Sequence, residues 1–208
     1  MQQIYVHGLG QTPASWKKII MQLKSSEYSV CPDLTEICGN GKTTYKNLYE
    51  GFSKICDSFH EKIDLCGLSL GGVLALNYAV EHPENVNSLV LIAAQYKMPK
   101  GLLRFQNILF QLMPKSMFQQ TDFGKKEFIQ LCQTMMELDF SHSIQKVTCP
   151  TLVVCGERDS ANKKAAMELA GSLKNAELQI ISGTGHEINI EAPEKLSEVL
   201  RDFYSRTQ

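Results

Sequence analysis

The sequence predicts an α/β protein in which a mostly parallel sheet of about six strands lies between helices in a three-layer arrangement. Three observations lead to this prediction. Short apolar runs alternate with amphipathic segments along most of the 208 residues. The runs contain Val, Ile and Leu in blocks, which is typical of strands buried on both faces of a parallel sheet. One long segment lacks such runs and has a helical pattern instead.

Six apolar runs are expected to form the strands. They lie at residues 4–6, 28–30, 63–66, 88–93, 151–155 and 177–181. Helix-like segments separate most of them, so the chain repeats a strand–helix–strand unit. Such units have right-handed crossovers and place their strands side by side in one parallel sheet.

The helical segments are recognised by their apolar faces and their ends. Residues 14–23 and 44–59 each place several large apolar side chains on one helical face. Residues 72–82 precede Pro83, which stops a helix. Pro193 can open the last helix, because a proline is tolerated at the first helical position.

A segment at about residues 96–146 contains no strand-like run. A structureless loop of that length is improbable inside a compact domain. Two sets of apolar residues in it have helical spacing: Leu102, Phe105, Leu109 and Leu112, and Phe128, Leu131, Cys132, Met135 and Leu138. We therefore expect one domain over residues 1–208, with a small helical cap inserted at about 96–146 above one end of the sheet.

The composition argues against several classes of protein. The net charge is −1 and the basic residues are scattered, so no nucleic-acid surface is expected. No apolar stretch is long enough to span a membrane, and the first residues lack the pattern of a signal peptide. The seven cysteines include no C-x-x-C pair and are expected to be buried free thiols, which favours the cytoplasm. The oligomeric state is left open.

The strongest chemical signal is Gly67-Leu68-Ser69-Leu70-Gly71-Gly72. It follows a predicted strand and precedes a predicted helix, which is the context of a nucleophile elbow. The two flanking glycines are needed because side chains there would collide in so sharp a turn. The alternative is a plain glycine-rich turn between strand and helix. We predict that Ser69 is a nucleophile.

A serine hydroxyl needs a base to accept its proton, and that base needs an acceptor to orient it. His186 lies in a glycine-rich loop after the last strand run, and we predict that it is the base. Asp159 follows the preceding strand run and is the predicted orienting carboxylate, with Glu157 as the alternative. The chain order Ser, Asp, His is the one found in α/β-hydrolase sheets.

The oxyanion of a tetrahedral intermediate requires two hydrogen-bond donors. The backbone N–H of Leu70, directly after the nucleophile, is the first predicted donor. The second should come from the loop after the first strand, His7-Gly8-Leu9-Gly10, and we assign it to the N–H of Leu9. We expect His7 to brace this loop by hydrogen bonds.

These motifs together resemble the α/β-hydrolase superfamily over most of its fold. The matching segments are HGLG at 7–10, PDL at 32–34, GLSLGG at 67–72, HPENVNSLVLI at 82–92, CPTLVVCGERD at 149–159 and GTGHEINIEAPE at 183–194. The resemblance is closest to small bacterial esterases and to the menaquinone-synthase and biotin-esterase branches. It implies the same triad of Ser69, Asp159 and His186, with oxyanion donors at Leu9 and Leu70.

The sequence departs from the superfamily pattern in two places. Two strands that usually precede the HG motif are missing, so a trimmed sheet is expected. The loop after PDL lacks the usual Arg-Gly-His-Gly pattern. Residues 39–43, GNGKT, superficially resemble a phosphate loop, but Glu36 stands where its first glycine belongs. We predict no cofactor and no metal.

The predicted activity is that of a serine hydrolase acting through an acyl-Ser69 intermediate. Its expected partner is a small, apolar carboxylic ester or thioester, because methionines in the cap segment, at 98, 113, 117, 135 and 136, suit an adaptable apolar pocket. These methionines could equally pack the cap onto the core. Two further readings are open: the same triad used for lyase chemistry or C–C bond hydrolysis, and a ligand-binding module without turnover.

Overall fold

The computed structural model describes residues 1–38, 42–101 and 123–207. Two predictions fall partly or wholly outside the described residues. These are the helical face at 102–112, together with Met113 and Met117, and the glycine-rich start of the segment at 39–43.

The strands form one sheet in which every pairing is parallel, in the order β2-β1-β3-β4-β5-β6. They are β1 (Gln3–Val6), β2 (Ser29–Val30), β3 (Ile63–Leu68), β4 (Val86–Ile92), β5 (Thr151–Gly156) and β6 (Ala176–Ile181). The predicted six-stranded sheet is confirmed. From β1 the chain first adds β2 on one side and then crosses to β3 on the other. Such a reversal creates a crevice at the carboxyl ends of the strands, where ligands bind in α/β sheets.

Helices cover both faces of the sheet. In the described residues they are α1 (Lys17–Leu23), α2 (Leu34–Cys38), α3 (Tyr45–Asp57), α4 (Leu70–Glu81), α5 (Lys125–Met135), α6 (Ser160–Ser172), α7 (Ile188–Glu191) and α8 (Pro193–Thr207). One core cluster joins the sheet to α3, α4, α5 and α6. A second cluster joins the opposite face to α1 and α8. The three-layer architecture is confirmed.

Local sequence explains where several helices begin. Thr44 precedes α3 and its side chain accepts a hydrogen bond from the N–H of Asn47, as a good N-cap does. Pro193 is the first residue of α8, as predicted. The segment predicted as a helix at 14–23 instead starts with a 3-10 turn at Pro13–Trp16, and the α-helix begins at Lys17.

Burial of the strands differs between the centre and the edges of the sheet. Every residue of β3 and β5 is buried, as predicted for strands covered on both faces. The same prediction is wrong for the edge strands. β2 is only half-buried, and in β6 the side chains of Leu178 and Gln179 are exposed. An edge strand has a neighbour on one side only, so its flanking helices cover it less completely.

The ends of the predicted cap segment lie together. Lys97 and Asp139 form an antiparallel bridge, the N–H of Met98 donates to the carbonyl of Leu138, and the N–H of Phe140 donates to Tyr96. These bonds close the base of the segment beside the carboxyl end of β4. The described part of the segment includes α5, which lies against α3. The N–H of Tyr45 in α3 donates to the hydroxyl of Thr134 in α5 at 2.9 Å.

Six of the seven cysteines are buried and Cys31 is half-buried, so the prediction of buried thiols holds for six of them. Burial raises the pKa of Cys132 and Cys149 to about 11. None of the helices in the described residues is both long and apolar enough to cross a bilayer.

Candidate active site

Ser69 stands at the sharp turn between β3 and α4. Its backbone has φ 53° and ψ −113°, a conformation that costs a non-glycine residue about 1–3 kcal/mol. The turn is held on both sides: the N–H of Ser69 donates to the carbonyl of Ile92 at 2.8 Å, and its carbonyl accepts the N–H of Val73 at 3.0 Å. The strained geometry predicted for a nucleophile elbow is therefore present and supported by its neighbours.

The glycines that flank Ser69 are required by close backbone contacts. A Cβ on Gly67 would lie 2.2 Å from the carbonyl oxygen of Gly71. A Cβ on Gly71 would lie 2.2 Å from the carbonyl oxygen of Val6 in the neighbouring strand. Both distances are far below van der Waals contact, and the obstructing atoms belong to the backbone. The predicted steric reason for these two glycines is confirmed.

The carboxylate of Asp159 and the imidazole of His186 form a hydrogen-bonded pair. Nδ1 of His186 lies 2.8 Å from Oδ2 of Asp159. The Asp159 side chain is 5% exposed, whereas that of His186 is 41% exposed. With its Nδ1–H donating to the carboxylate, the neutral ring has its lone pair on Nε2. That nitrogen is the one available to accept a proton.

Asp159 is held by its own helix. It is the N-cap of α6, and one of its oxygens accepts the backbone N–H of Asn162. The side-chain amide of Asn162 donates to both carboxylate oxygens at 2.9 Å. Burial alone would raise the pKa of Asp159. The hydrogen bonds from His186 and Asn162 outweigh it, so the pKa lies below its ordinary value and the carboxylate is ionised at neutral pH.

The loops that carry Asp159 and His186 are joined by further hydrogen bonds. The carboxylate of Glu157 accepts the N–H of Gly183 at 2.9 Å, and the N–H of Arg158 donates to the carbonyl of Thr184. The carboxylate of Glu191 accepts the N–H of Gly185 at 2.7 Å. Glu157, the alternative partner for the base, therefore bonds to the loop, while Asp159 contacts the imidazole.

Ser69 and His186 line the same pocket. Its volume is about 170 Å³. The residues around it are Ser69, Leu70, Val73, Ala93, Gln95, Met98, Pro99, Met135, Ala161, Asn162 and His186. Most of them present apolar atoms, and Met98, Pro99 and Met135 come from the predicted cap segment. Asp159 lies behind the imidazole, so two of the three predicted triad residues face the pocket directly.

The loop after β1 packs against the elbow. A Cβ on Gly8 would lie 3.6 Å from the Cβ of Ser69, so the residue before Leu9 lies close to Ser69. Leu70 is the first residue of α4 and lines the pocket. Within the described ranges, neither Leu9 nor Leu70 donates its N–H to another backbone carbonyl outside the helix. The oxyanion role of these two N–H groups stays a prediction.

The predicted bracing role of His7 is confirmed. Its ring is fully buried, Nδ1 lies 2.9 Å from the carbonyl of Gly8, and Nε2 accepts the N–H of Leu34 at 3.3 Å. The ring connects the loop after β1 to the start of α2.

Sequence reasoning missed the polar residues that support the pair. Asn162 holds Asp159 and in turn accepts a hydrogen bond from the amide of Gln95 at 2.7 Å. Gln11 and Asn189 connect the loop after β1 to the segment after His186. A signal for Asn162 was available: it stands three residues after an aspartate, a residue type that favours helix N-caps, where a polar side chain can reach back. The long-range pair had no such local signal.

The described residues contain no group of three or more His, Cys, Asp or Glu side chains that could hold a metal ion. Among the described residues that line the pocket, one has a titratable side chain, His186, beside the Ser69 hydroxyl and the Asn162 and Gln95 amides. This set suits proton transfer and nucleophilic attack.

Comparison with known proteins identifies the family. Residues 4–199 match the model of the alpha/beta hydrolase family. A monoacylglycerol lipase, abhd6-A from Xenopus laevis, is 23% identical over 99% of this chain and 75% of its own length. The 3-oxoadipate enol-lactonase 1 of Acinetobacter baylyi is 22% identical over 99% of this chain and 89% of its own. A solved thermophilic esterase from Thermogutta terrifontis superposes with a TM-score of 0.81 at 20% identity, covering 100% of this chain and 90% of that one. The chain belongs to the alpha/beta hydrolase family.

Proposed function

We propose that this protein is a serine hydrolase that cleaves small carboxylic esters or thioesters. Ser69 is the nucleophile, His186 the base and Asp159 the carboxylate that orients it. One observation carries the proposal: a serine in a strained elbow lines the same pocket as an imidazole that is hydrogen-bonded to a buried carboxylate. Strain of this kind at a pocket is typical of functional sites.

The reaction follows from these groups. The hydroxyl of Ser69 attacks the ester carbonyl carbon while Nε2 of His186 accepts its proton. The N–H groups of Leu9 and Leu70 donate to the oxyanion of the tetrahedral intermediate. The intermediate collapses when the imidazolium returns the proton to the leaving alkoxide or thiolate. A water molecule, deprotonated by the same imidazole, then releases the acid from Ser69.

The apolar lining of the pocket supports an acyl group of short to medium length. Leu70 and Val73 come from the elbow helix, while Met98 and Met135 come from the segment at about 96–146. We propose that this segment is a cap inserted into a single domain and that it shapes the acyl site. Two relatives, a lipase and a lactonase, have names that point to ester substrates.

We also propose a cytoplasmic location, because buried free thiols are typical of proteins in a reducing compartment.

The test uses a fluorophosphonate probe and a series of p-nitrophenyl esters from acetate to laurate. The wild-type protein should react with the probe and hydrolyse the shorter esters fastest. Ser69→Ala should abolish labelling and lower turnover by about 10⁴-fold or more. Ser205→Ala, which alters an exposed serine on α8, is the matched control and should behave like wild type.

Three outcomes would contradict the proposal. Normal ester hydrolysis by purified Ser69→Ala would remove Ser69 from the mechanism. Labelling of wild-type Ser69 without turnover of any ester or thioester would favour the lyase or C–C hydrolase alternative. A wild-type protein that does not react with the probe at all would favour a binding module.

A further inference from the structure

Two buried amide side chains are hydrogen-bonded to each other between the loop after β1 and α7. The Nε2 of Gln11 donates to Oδ1 of Asn189 at 3.2 Å, and Nδ2 of Asn189 donates back to Oε1 of Gln11 at 3.1 Å. Gln11 is 6% exposed and Asn189 is 1% exposed. The two residues are 178 positions apart in the chain. A reciprocal pair of this kind fixes both the distance and the relative orientation of the segments that carry it.

Each amide belongs to a segment of the proposed catalytic machinery. Gln11 folds back onto the loop after β1. Its side-chain Oε1 accepts the N–H of Gly8 at 3.4 Å, and its backbone N–H donates to the carbonyl of Gly8 at 3.1 Å. The bonded residues enclose Leu9. Gly10, with φ 88°, provides the left-handed backbone that this turn requires.

Asn189 lies in α7, three residues after His186. The second hydrogen of Gln11 Nε2 is donated to Oε1 of Glu187 at 2.9 Å. Gln11 therefore contacts Glu187, directly after His186, and Asn189, three residues after it. All the hydrogen-bonding capacity of its Nε2 is used to join the loop of Leu9 to the segment of His186.

We propose that Gln11 is a positioning residue and that Asn189 is its partner. Together they set the separation between the oxyanion donor at Leu9 and the base at His186. This inference rests on the proposed function. Both groups act on one tetrahedral centre at the same moment, so an error of about 1 Å in their separation is expected to lower turnover by on the order of 100-fold.

The test compares Gln11→Leu, Asn189→Leu and the double variant. In Gln11→Leu the buried amide of Asn189 loses its partner, and in Asn189→Leu the amide of Gln11 keeps only its bonds to Gly8 and Glu187, so each single variant should unfold more easily than wild type. The double variant contains neither amide, so it should be more stable than Gln11→Leu, while Gly8 and Glu187 lose the same bonds in both variants. Its kcat on a p-nitrophenyl ester should nevertheless stay about 10- to 100-fold below wild type, with KM changed by no more than about twofold. Gln179→Leu, at an exposed glutamine of the edge strand β6, is the matched control and should match wild type.

A second readout separates positioning from general stability. A trifluoromethyl ketone forms a tetrahedral adduct with an active serine, so its affinity reports the oxyanion site. Its inhibition constant in the double variant should rise by the same factor by which kcat falls. If the double variant does not fold, Gln11→Asn replaces it, because this amide is one methylene too short to reach both partners. A folded Gln11→Asn with lowered kcat supports the proposal.

Three results are distinguishable. A double variant, or Gln11→Asn, with wild-type kcat and ketone affinity would overturn the positioning role while leaving the triad intact. A proportional loss of kcat and ketone affinity in a stable protein supports it. A wild-type protein that neither hydrolyses esters nor reacts with a fluorophosphonate would overturn the proposed function, and this inference would fall with it.

Discussion

The two halves of the candidate site are held in different ways. The elbow at Ser69 is fixed by steric exclusion, because backbone atoms fill the space that side chains at Gly67 and Gly71 would need. The loops around Asp159 and His186 are fixed by polar groups that reach across from one loop to the other. The elbow requires glycines without side chains, whereas the loops around Asp159 and His186 require their hydrogen-bonding partners.

This difference determines how each half should fail. A small added group at the elbow forces backbone to move in the most buried strands of the sheet. The loops around Asp159 and His186 are the base loops. Removal of one polar group from them removes one hydrogen bond among several and leaves the backbone close to its place. The elbow should therefore fail as a unit, with stability and activity lost together, whereas the base loops should lose activity with little loss of stability.

The largest effect is expected for Gly71→Ala. Its methyl group would lie 2.2 Å from the carbonyl oxygen of Val6 and 2.8 Å from that of His7. We expect a loss of about 3 kcal/mol or more in the free energy of unfolding, at or above the upper end for overpacking, together with loss of hydrolysis. Urea denaturation followed by circular dichroism measures the first quantity.

The matched control for this prediction is Gly171→Ala. Gly171 lies in α6, and among the described residues no heavy atom other than those of its neighbouring helix backbone lies within 4 Å of the position that a Cβ would take. Alanine there should stabilise the protein by up to about 1 kcal/mol, since alanine is the better helix former. A Gly71→Ala protein with normal stability would show that the elbow is not held by steric exclusion.

The elbow was predictable because its causes are local. The strand, the turn and the helix are contiguous, and the spacing of Gly67, Ser69 and Gly71 reports a backbone conformation directly. The six strands were predictable for the same reason, since each is a short apolar run. Which strands lie at the edges depends on the order in the sheet, and the exposed side chains of β6 accordingly contradicted a pattern that predicted burial.

The second effect is expected for Asp159→Asn. Asparagine keeps the shape of the side chain and can still cap α6, so the free energy of unfolding should change by about 1 kcal/mol or less at neutral pH. It no longer selects the imidazole tautomer with its lone pair on Nε2. We expect kcat to fall by about 10⁴-fold, measured with a p-nitrophenyl ester at saturating concentration.

Glu157→Gln tests the same loop with the same chemical change. The carboxylate of Glu157 bonds to the N–H of Gly183 rather than to His186, so its replacement should lower kcat by no more than a few-fold. If Glu157→Gln were the more damaging of the two substitutions, the assignment of the orienting carboxylate would have to be exchanged.

The hydrogen bonds that hold Asp159 and His186 could not be predicted as fully as the elbow. Asp159 and His186 were identified from chain order and from loops that follow strands. The groups that hold them, among them Asn162, Glu191 and the pair Gln11 and Asn189, act through side chains from separate segments. Polar residues in loops are common, and their partners are decided only when the loops meet in three dimensions.

A smaller effect is expected for Glu191→Gln. Its carboxylate accepts the N–H groups of Gly185 and Glu187, which flank His186. The amide keeps one acceptor oxygen and loses the other, so the loss should be about 1 kcal/mol or less in unfolding free energy and a few-fold in kcat. Glu198→Gln, at an exposed position on α8, is the control. A larger loss of stability than of activity would indicate that Glu191 supports the fold instead of the base.

The smallest effect is a change with pH in the contribution of Asp159 to stability. Its pKa in the folded protein is lowered, because hydrogen bonds from His186 and Asn162 outweigh the cost of burial. A carboxylate of this kind stabilises the folded protein above the ordinary aspartate pKa of about 3.9, and that contribution is lost as the pH falls through the lowered value. The difference in unfolding free energy between wild type and Asp159→Asn should therefore be constant above about pH 5 and shift against wild type below about pH 4.

Ser69→Ala removes no carboxylate, so its difference from wild type should show no such shift. Urea titrations from pH 7 to pH 3 measure both differences, and parallel curves for the two variants would show that hydrogen bonding to Asp159 does not distinguish the base loops from the elbow.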